Sequence, residues 1–144
     1  MKKGFLFIVG LCVAGFAWAD GQGGKISFEE RQASTLMTVT SVHLTQGGGT
    51  ITAEGDMGEY GRAYLTYTLT ADANGMGGTV VGEGRGAMQG GAFASGSGTG
   101  AYYRDGTTFT MHVIFRINDG TQNFDKIVFD AYTRELTHDA YILK

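Results

Sequence analysis

The sequence predicts an all-β protein: a single antiparallel up-and-down β-barrel of about eight strands, following a cleaved signal peptide. Three observations carry this. Along most of the chain beyond the leader, residues alternate in polarity with a period of two, the spacing of a strand buried on one face. Turn-forming pairs punctuate the alternation at intervals of roughly a dozen residues, as a meander requires. Two neighbouring segments carry glycine at every second position, Gly82, Gly84 and Gly86, then Gly96, Gly98 and Gly100. Each series strips one face of a strand of its side chains, at a cost of roughly 0.5–1 kcal/mol per glycine. Such a cost answers a geometric demand, either a sheet bent sharply on itself or backbone that something else approaches closely.

The N-terminus reads as the signal peptide, residues 1–19. Lys2 and Lys3 are basic, Phe5 to Phe16 form an apolar run, and Ala17-Trp18-Ala19 is a small-x-small cleavage site before Asp20. The apolar run falls short of the roughly 20 residues that span a bilayer. Cys12 does not mark a lipoprotein anchor, since Leu11 stands where a small residue is wanted. Cleavage after Ala19 directs the protein to the periplasm or beyond and leaves one domain, residues 20–144, with no further membrane span. Cys12 and Trp18 leave with the leader, so the domain has no disulfide to support it, and the chain contains no proline. Without Lys2 and Lys3, nine basic residues face fourteen acidic ones, a balance of −5. Nucleic acid and anionic membrane are poor partners for such a surface, and the basic residues are scattered singly.

The clearest strands are Tyr64–Leu69 and Thr107–Ile117. The second places Phe109, Met111, Val113, Phe115 and Ile117 on one face, and Thr108, Thr110, His112, Ile114 and Arg116 on the other. Weaker runs cover 26–32, 36–45, 50–57, 122–132 and 135–143. Gly47-Gly48-Gly49, Asn74-Gly75, Gly90-Gly91, Asp105-Gly106 and Asp119-Gly120 supply the turns. Ser27 to Leu36 is the best helical candidate. Closing eight or nine strands into a barrel removes both exposed edges, and glycine faces relieve crowding on a concave wall; an open sandwich is the alternative. A lipid-embedded barrel needs about ten residues per strand with aromatic girdles, and the apolar face of the Tyr64 strand is far shorter.

Catalytic motifs are missing. Ser97 between Gly96 and Gly98 lacks the outer glycines of Gly-x-Ser-x-Gly, and Ala87 stands where Gly-x-Gly-x-x-Gly needs its third glycine. His43, His112 and His138 fall on three strands without local His-x-His spacing, so they read as surface or hydrogen-bonded residues, and no metal or other cofactor is implied. Glu83 and Arg85 alternate with the first glycine series. If the glycines face the lumen, the pair lies outside; if they face outward, Glu83 and Arg85 point into the barrel as a polar centre. Glu54, Asp56 and Glu59 read as solvated loop charges, and Tyr67 as a core residue whose hydroxyl needs a partner.

The run from Gly55-Asp56-Met57-Gly58 through Tyr64-Leu65-Thr66-Tyr67 to Val81-Gly82-Glu83-Gly84, with the later Ser97-Gly98-Thr99-Gly100 and Asp119-Gly120-Thr121, resembles the small secreted bacterial barrels of the allene oxide cyclase and dirigent type. The resemblance implies an eight-stranded calycin-like barrel with an apolar lumen, in a family where some members are cyclases or guide coupling reactions. Three functions compete. A binding protein would hold a small apolar ligand against Leu65, Tyr67, Phe109, Met111 and Phe115, with Glu83 and Arg85 at its polar end. A cyclase or isomerase would use the same cavity to fold its substrate, with Glu83, Arg85 or Tyr67 steering charge. An interaction protein, alone or as a homo-oligomer, would fill its barrel and work through its outer surface. The first is the expectation from sequence.

Overall fold

The computed structural model describes residues 24–144; the expected leader at 1–19 lies outside them. Nine strands follow one another: β1 (Phe28–Glu30), β2 (Thr35–Thr45), β3 (Gly48–Asp56), β4 (Arg62–Ala71), β5 (Gly77–Ala87), β6 (Phe93–Asp105), β7 (Thr108–Ile117), β8 (Gln122–Asp130) and β9 (Leu136–Leu143). From β2 to β9 each strand pairs antiparallel with the next, and β9 returns to β2 through Thr35↔His138 and Met37↔Leu136. The result is a closed eight-stranded barrel with one short extra strand. Turns sit where the sequence places them, and Gly75 and Gly106 take the positive φ of 68° and 58° that their tight hairpins require.

The segment Ser27 to Leu36, the helical candidate, is instead strand, break and strand. Both β1 and β2 run along the same edge of β9, with Phe28↔Leu143 and Glu30↔Tyr141 continuing the ladder. Five steps from Glu30 to Thr35 oppose three from Tyr141 to His138, so two surplus residues bulge out. Helical periodicity lost here because β9 offered an unpaired edge over its whole length. The break carries Arg31 to one end of the barrel, beside the single-turn 3₁₀ helix Gly58–Tyr60.

Inward faces build one core from Ile51, Leu65, Tyr67, Leu69, Val80, Met111, Val113, Phe115, Ile127, Phe129 and Leu136, all buried. Each such side chain contributes roughly 1.5–3 kcal/mol relative to exposure. Most of the apolar side chains point inward, with Asn123, Asp125 and His138 among them, while the outer face mixes Thr, Ser and charged residues with the exposed Tyr64, Val81, Tyr103 and Ile114.

Both glycine series face the lumen. Gly82 pairs with Gly98 and Gly84 with Gly96, so bare backbone opposes bare backbone across β5 and β6. A methyl group at Gly82 would overlap the ring of Phe115, and one at Gly84 would overlap Leu65. At Gly98 and Gly100 it would run into the carbonyl oxygens of Ile114 and His112 on β7. Strands two apart in a flat sheet lie about 9.5 Å from each other, yet β5 and β7 approach within 8 Å at several positions. The wall therefore folds sharply along β6. Both demands read from the sequence are present at once: a bent sheet, and side chains pressed flush on its backbone.

Gly82→Ala is expected to cost about 1–3 kcal/mol, the usual penalty for forcing a side chain into a packed core. Phe115→Leu in the same chain should make the double variant less unstable than the sum of the singles, because the two groups share one space. Urea denaturation of the four proteins measures both numbers.

Candidate functional site

Two spaces flank the glycine wall. Inside lies a cavity of about 50 Å³ bounded by Tyr60, Leu65, Phe115, Asn123, Asp125 and His138. Outside, a shallow open groove of about 730 Å³ crosses the outer faces of β3 to β7. Gly84, Gly96, Leu65 and Ile117 border both spaces. Only the thickness of the wall separates them.

The inner site is a buried polar chain. Tyr67 Oη lies 2.8 Å from His138 Nδ1, and His138 Nε2 lies 2.8 Å from Asp125 Oδ2. Burial, helped by the Asp125 charge, holds the Tyr67 phenol well above its ordinary pKa, so it keeps its proton. With no other acceptor in reach among the described residues, the phenol donates to Nδ1, and Nε2–H then donates to the carboxylate. Asp125 Oδ1 has no partner among the described residues, and Asp125 borders the cavity. Two residues along β8, Asn123 donates to Tyr60 Oη at 2.9 Å and accepts from Arg31 Nε at 3.0 Å. Burial raises the Tyr60 pKa, an effect opposed by the Asn123 hydrogen bond and by Arg31. Arg31 also donates to Thr121 at 2.9 Å, pairs with Glu59, and stacks on the Tyr60 ring at 5.4 Å. That arginine side chain is only 6 % exposed and closes this end of the barrel.

The outer groove is built from two rows of side chains running across the strands. Register sets Thr52, Thr66, Glu83, Ser97 and Arg116 side by side in one row, and Glu54, Tyr64, Arg85 and Ser95 in the next. Alternation turns all of these outward while Ala53, Leu65, Gly84 and Gly96 turn in. Glu54 is held by Arg62 at 2.7 Å, and the Arg85 guanidinium lies 4.9 Å from the Phe93 ring centre. Tyr64 is half exposed.

The residues expected to line a ligand pocket are thus divided. Leu65, Tyr67, Phe109, Met111 and Phe115 lie on the lumen side, where they pack against one another and leave little space. Glu83 and Arg85 are on the opposite side of the wall, because the glycines between them took the inward positions. Of the acidic cluster, Glu54 and Asp56 turn to Arg62, while Glu59 turns to Arg31. No cluster of three metal-ligating side chains occurs among the described residues, and no described helix is long and apolar enough to cross a membrane. His138 is hydrogen-bonded, as read, but its partner Asp125 was missed. The signal was there: Asn123 and Asp125 share the period-two face of Ile127 and Phe129. Comparison with known proteins finds no matching family model, no matching curated protein and no matching solved structure.

Tyr67→Phe leaves His138 Nδ1 buried without a donor and is expected to cost about 1–3 kcal/mol at neutral pH. Above pH 10, the ordinary tyrosine value, the unfolded chain releases the Tyr67 proton while the folded chain keeps it. The unfolded state then binds fewer protons, so stability falls as pH rises. Urea midpoints at pH about 9 and about 11.5 should therefore converge between the native protein and Tyr67→Phe. A residual alkaline slope from Tyr60 and Tyr102, whose pKa values burial also raises, remains in both.

Proposed function

We propose that this chain is an exported interaction protein with a filled barrel, binding its partner on the outer wall rather than in the lumen. The observation that carries the reading is the contrast between the two spaces: about 50 Å³ within, against about 730 Å³ in the groove outside. A water molecule takes about 30 Å³ of liquid, so the interior has room for little more than solvent. Pockets that take drug-sized ligands measure roughly 300–1,000 Å³. A small apolar guest would have to displace Phe115, Met111 or Tyr67, each buried by close packing. Confinement catalysis asks for the same missing room. The kinship with allene oxide cyclase-type barrels is proposed for the architecture alone, supported by strand number and closure.

Native mass spectrometry of the protein purified from an exporting host tests this. The expected spectrum shows the mass of residues 20–144 with no retained small molecule. A stoichiometric apolar adduct released by organic solvent would overturn the outer-wall reading in favour of a lumenal binder, and an uncleaved mass would overturn export by a cleaved leader.

A further inference from the structure

We propose that the groove across β3 to β7 binds an acidic saccharide, with Arg85 and Arg116 gripping a carboxylate and the hydroxyl rows contacting the sugar; this rests on the outer-wall reading above. Every strand beneath the groove is paired on both sides, β3 with β2 and β4, and so on to β7 with β6 and β8. No strand edge is offered there, so a peptide cannot add itself to the sheet and affinity must come from side chains. Those side chains are hydroxyl-rich: Thr52 and Thr66 stand side by side on β3 and β4, and Ser95 and Ser97 stand on β6 across β5, with about 4.8 Å between adjacent strands. A hydroxyl both donates and accepts, which suits a ligand whose own groups do the same. Tyr64 adds a half-exposed ring to the groove, an apolar face with a polar tip.

Charge decides the rest. Arg31 and Arg62 are committed to Glu59 and Glu54. Arg85 and Arg116 line the groove and make no ion pair among the described residues, on a chain whose formal charge is −3. Glu54 being neutralised by Arg62, the groove sets two guanidiniums against the single carboxylate of Glu83. One negative charge on the ligand balances it. Arg85 rests against the Phe93 ring, and the planar fork of a guanidinium loses little freedom per hydrogen bond when it engages a carboxylate. Glu83, an acceptor only, lies between Thr66 and Ser97 in its row, placed to take a sugar hydroxyl.

Heteronuclear NMR titration with trigalacturonate, its neutral methyl ester and a pentaglutamate peptide tests the proposal. Trigalacturonate is expected to shift amide signals of residues 64–66, 83–85, 95–97 and 116. Arg85→Ala and Arg116→Ala should each weaken that binding by about tenfold, and Arg→Lys at either site by less, since a lysine cannot present a planar fork. The methyl ester should bind at least about tenfold more weakly, and added salt should weaken the acidic sugar but not the ester. Equal binding of the ester, equal binding of pentaglutamate, or affinity unchanged in both alanine variants overturns the acidic-saccharide assignment while leaving the outer-wall reading intact. Shifts confined to lumenal residues such as Met111 and Phe115 overturn both. Lys126→Ala serves as the charge and folding control, because that exposed lysine on the outer face of β8 lies outside the groove.

Discussion

The ring of Phe115 lies against the inner surface of β5 and β6, where ordinary strands would carry side chains of their own. Gly82 gives way to it, Gly96 makes room for Ile117, and Leu65 takes the space beside Gly84. Most of the architecture follows from this contact. A wall stripped of side chains can fold along β6 until β5 and β7 nearly meet, and the barrel closes around a narrow, densely packed interior. At Gly82, Gly84 and Gly96 the lost stabilisation is offset by the burial of Phe115, Leu65 and Ile117 on bare backbone, while Gly86, Gly98 and Gly100 let the carbonyl oxygens of Tyr60, Ile114 and His112 approach. The same thin wall brings the outer groove and the inner cavity within one backbone thickness of each other.

Against this apolar packing stands a polar thread running from Tyr67 through His138 to Asp125, with Asn123, Tyr60 and Arg31 continuing toward the barrel end. Buried polar groups cost free energy unless paired, and all but one oxygen of Asp125 finds a partner in this chain of groups. The hydrogen bond between β4 and β9, and that between the 3₁₀ turn and β8, join parts of the wall that the ladder joins only through intermediaries. Arg31 contributes from the break between β1 and β2, so the two surplus residues in that segment have a structural result: they bring a guanidinium over the open end of the barrel. Among apolar neighbours, directional bonds of this kind favour one register over slipped alternatives.

Closure has a consequence on the outside as well. A barrel leaves no edge under the groove, and the backbone there is spent on its neighbours. The outer surface can therefore recognise a partner only through side chains chosen by alternation, and the period-two rule that sends Leu65 and Tyr67 inward sends Tyr64, Thr66, Glu83 and Arg85 outward. Inner core and outer groove are two readings of the same strands.

Much of this was legible in the residues themselves. Alternation in Thr107–Ile117 and Tyr64–Leu69, the glycine-bearing turns and the two glycine series determined an antiparallel all-β chain with a bent wall, because strand periodicity and positive-φ turns are local properties. Whether Glu83 and Arg85 point in or out was not local. It depended on which face of β5 met Phe115, a residue some thirty positions away. Asp125 finding His138, and Arg31 leaving a would-be helix to close the barrel, depended likewise on register between distant strands. Local periodicity set the kind of surface each strand would present. Tertiary structure alone decided that the lumen is full and the open space lies outside, because packing density is a property of all eight strands together and of none taken singly.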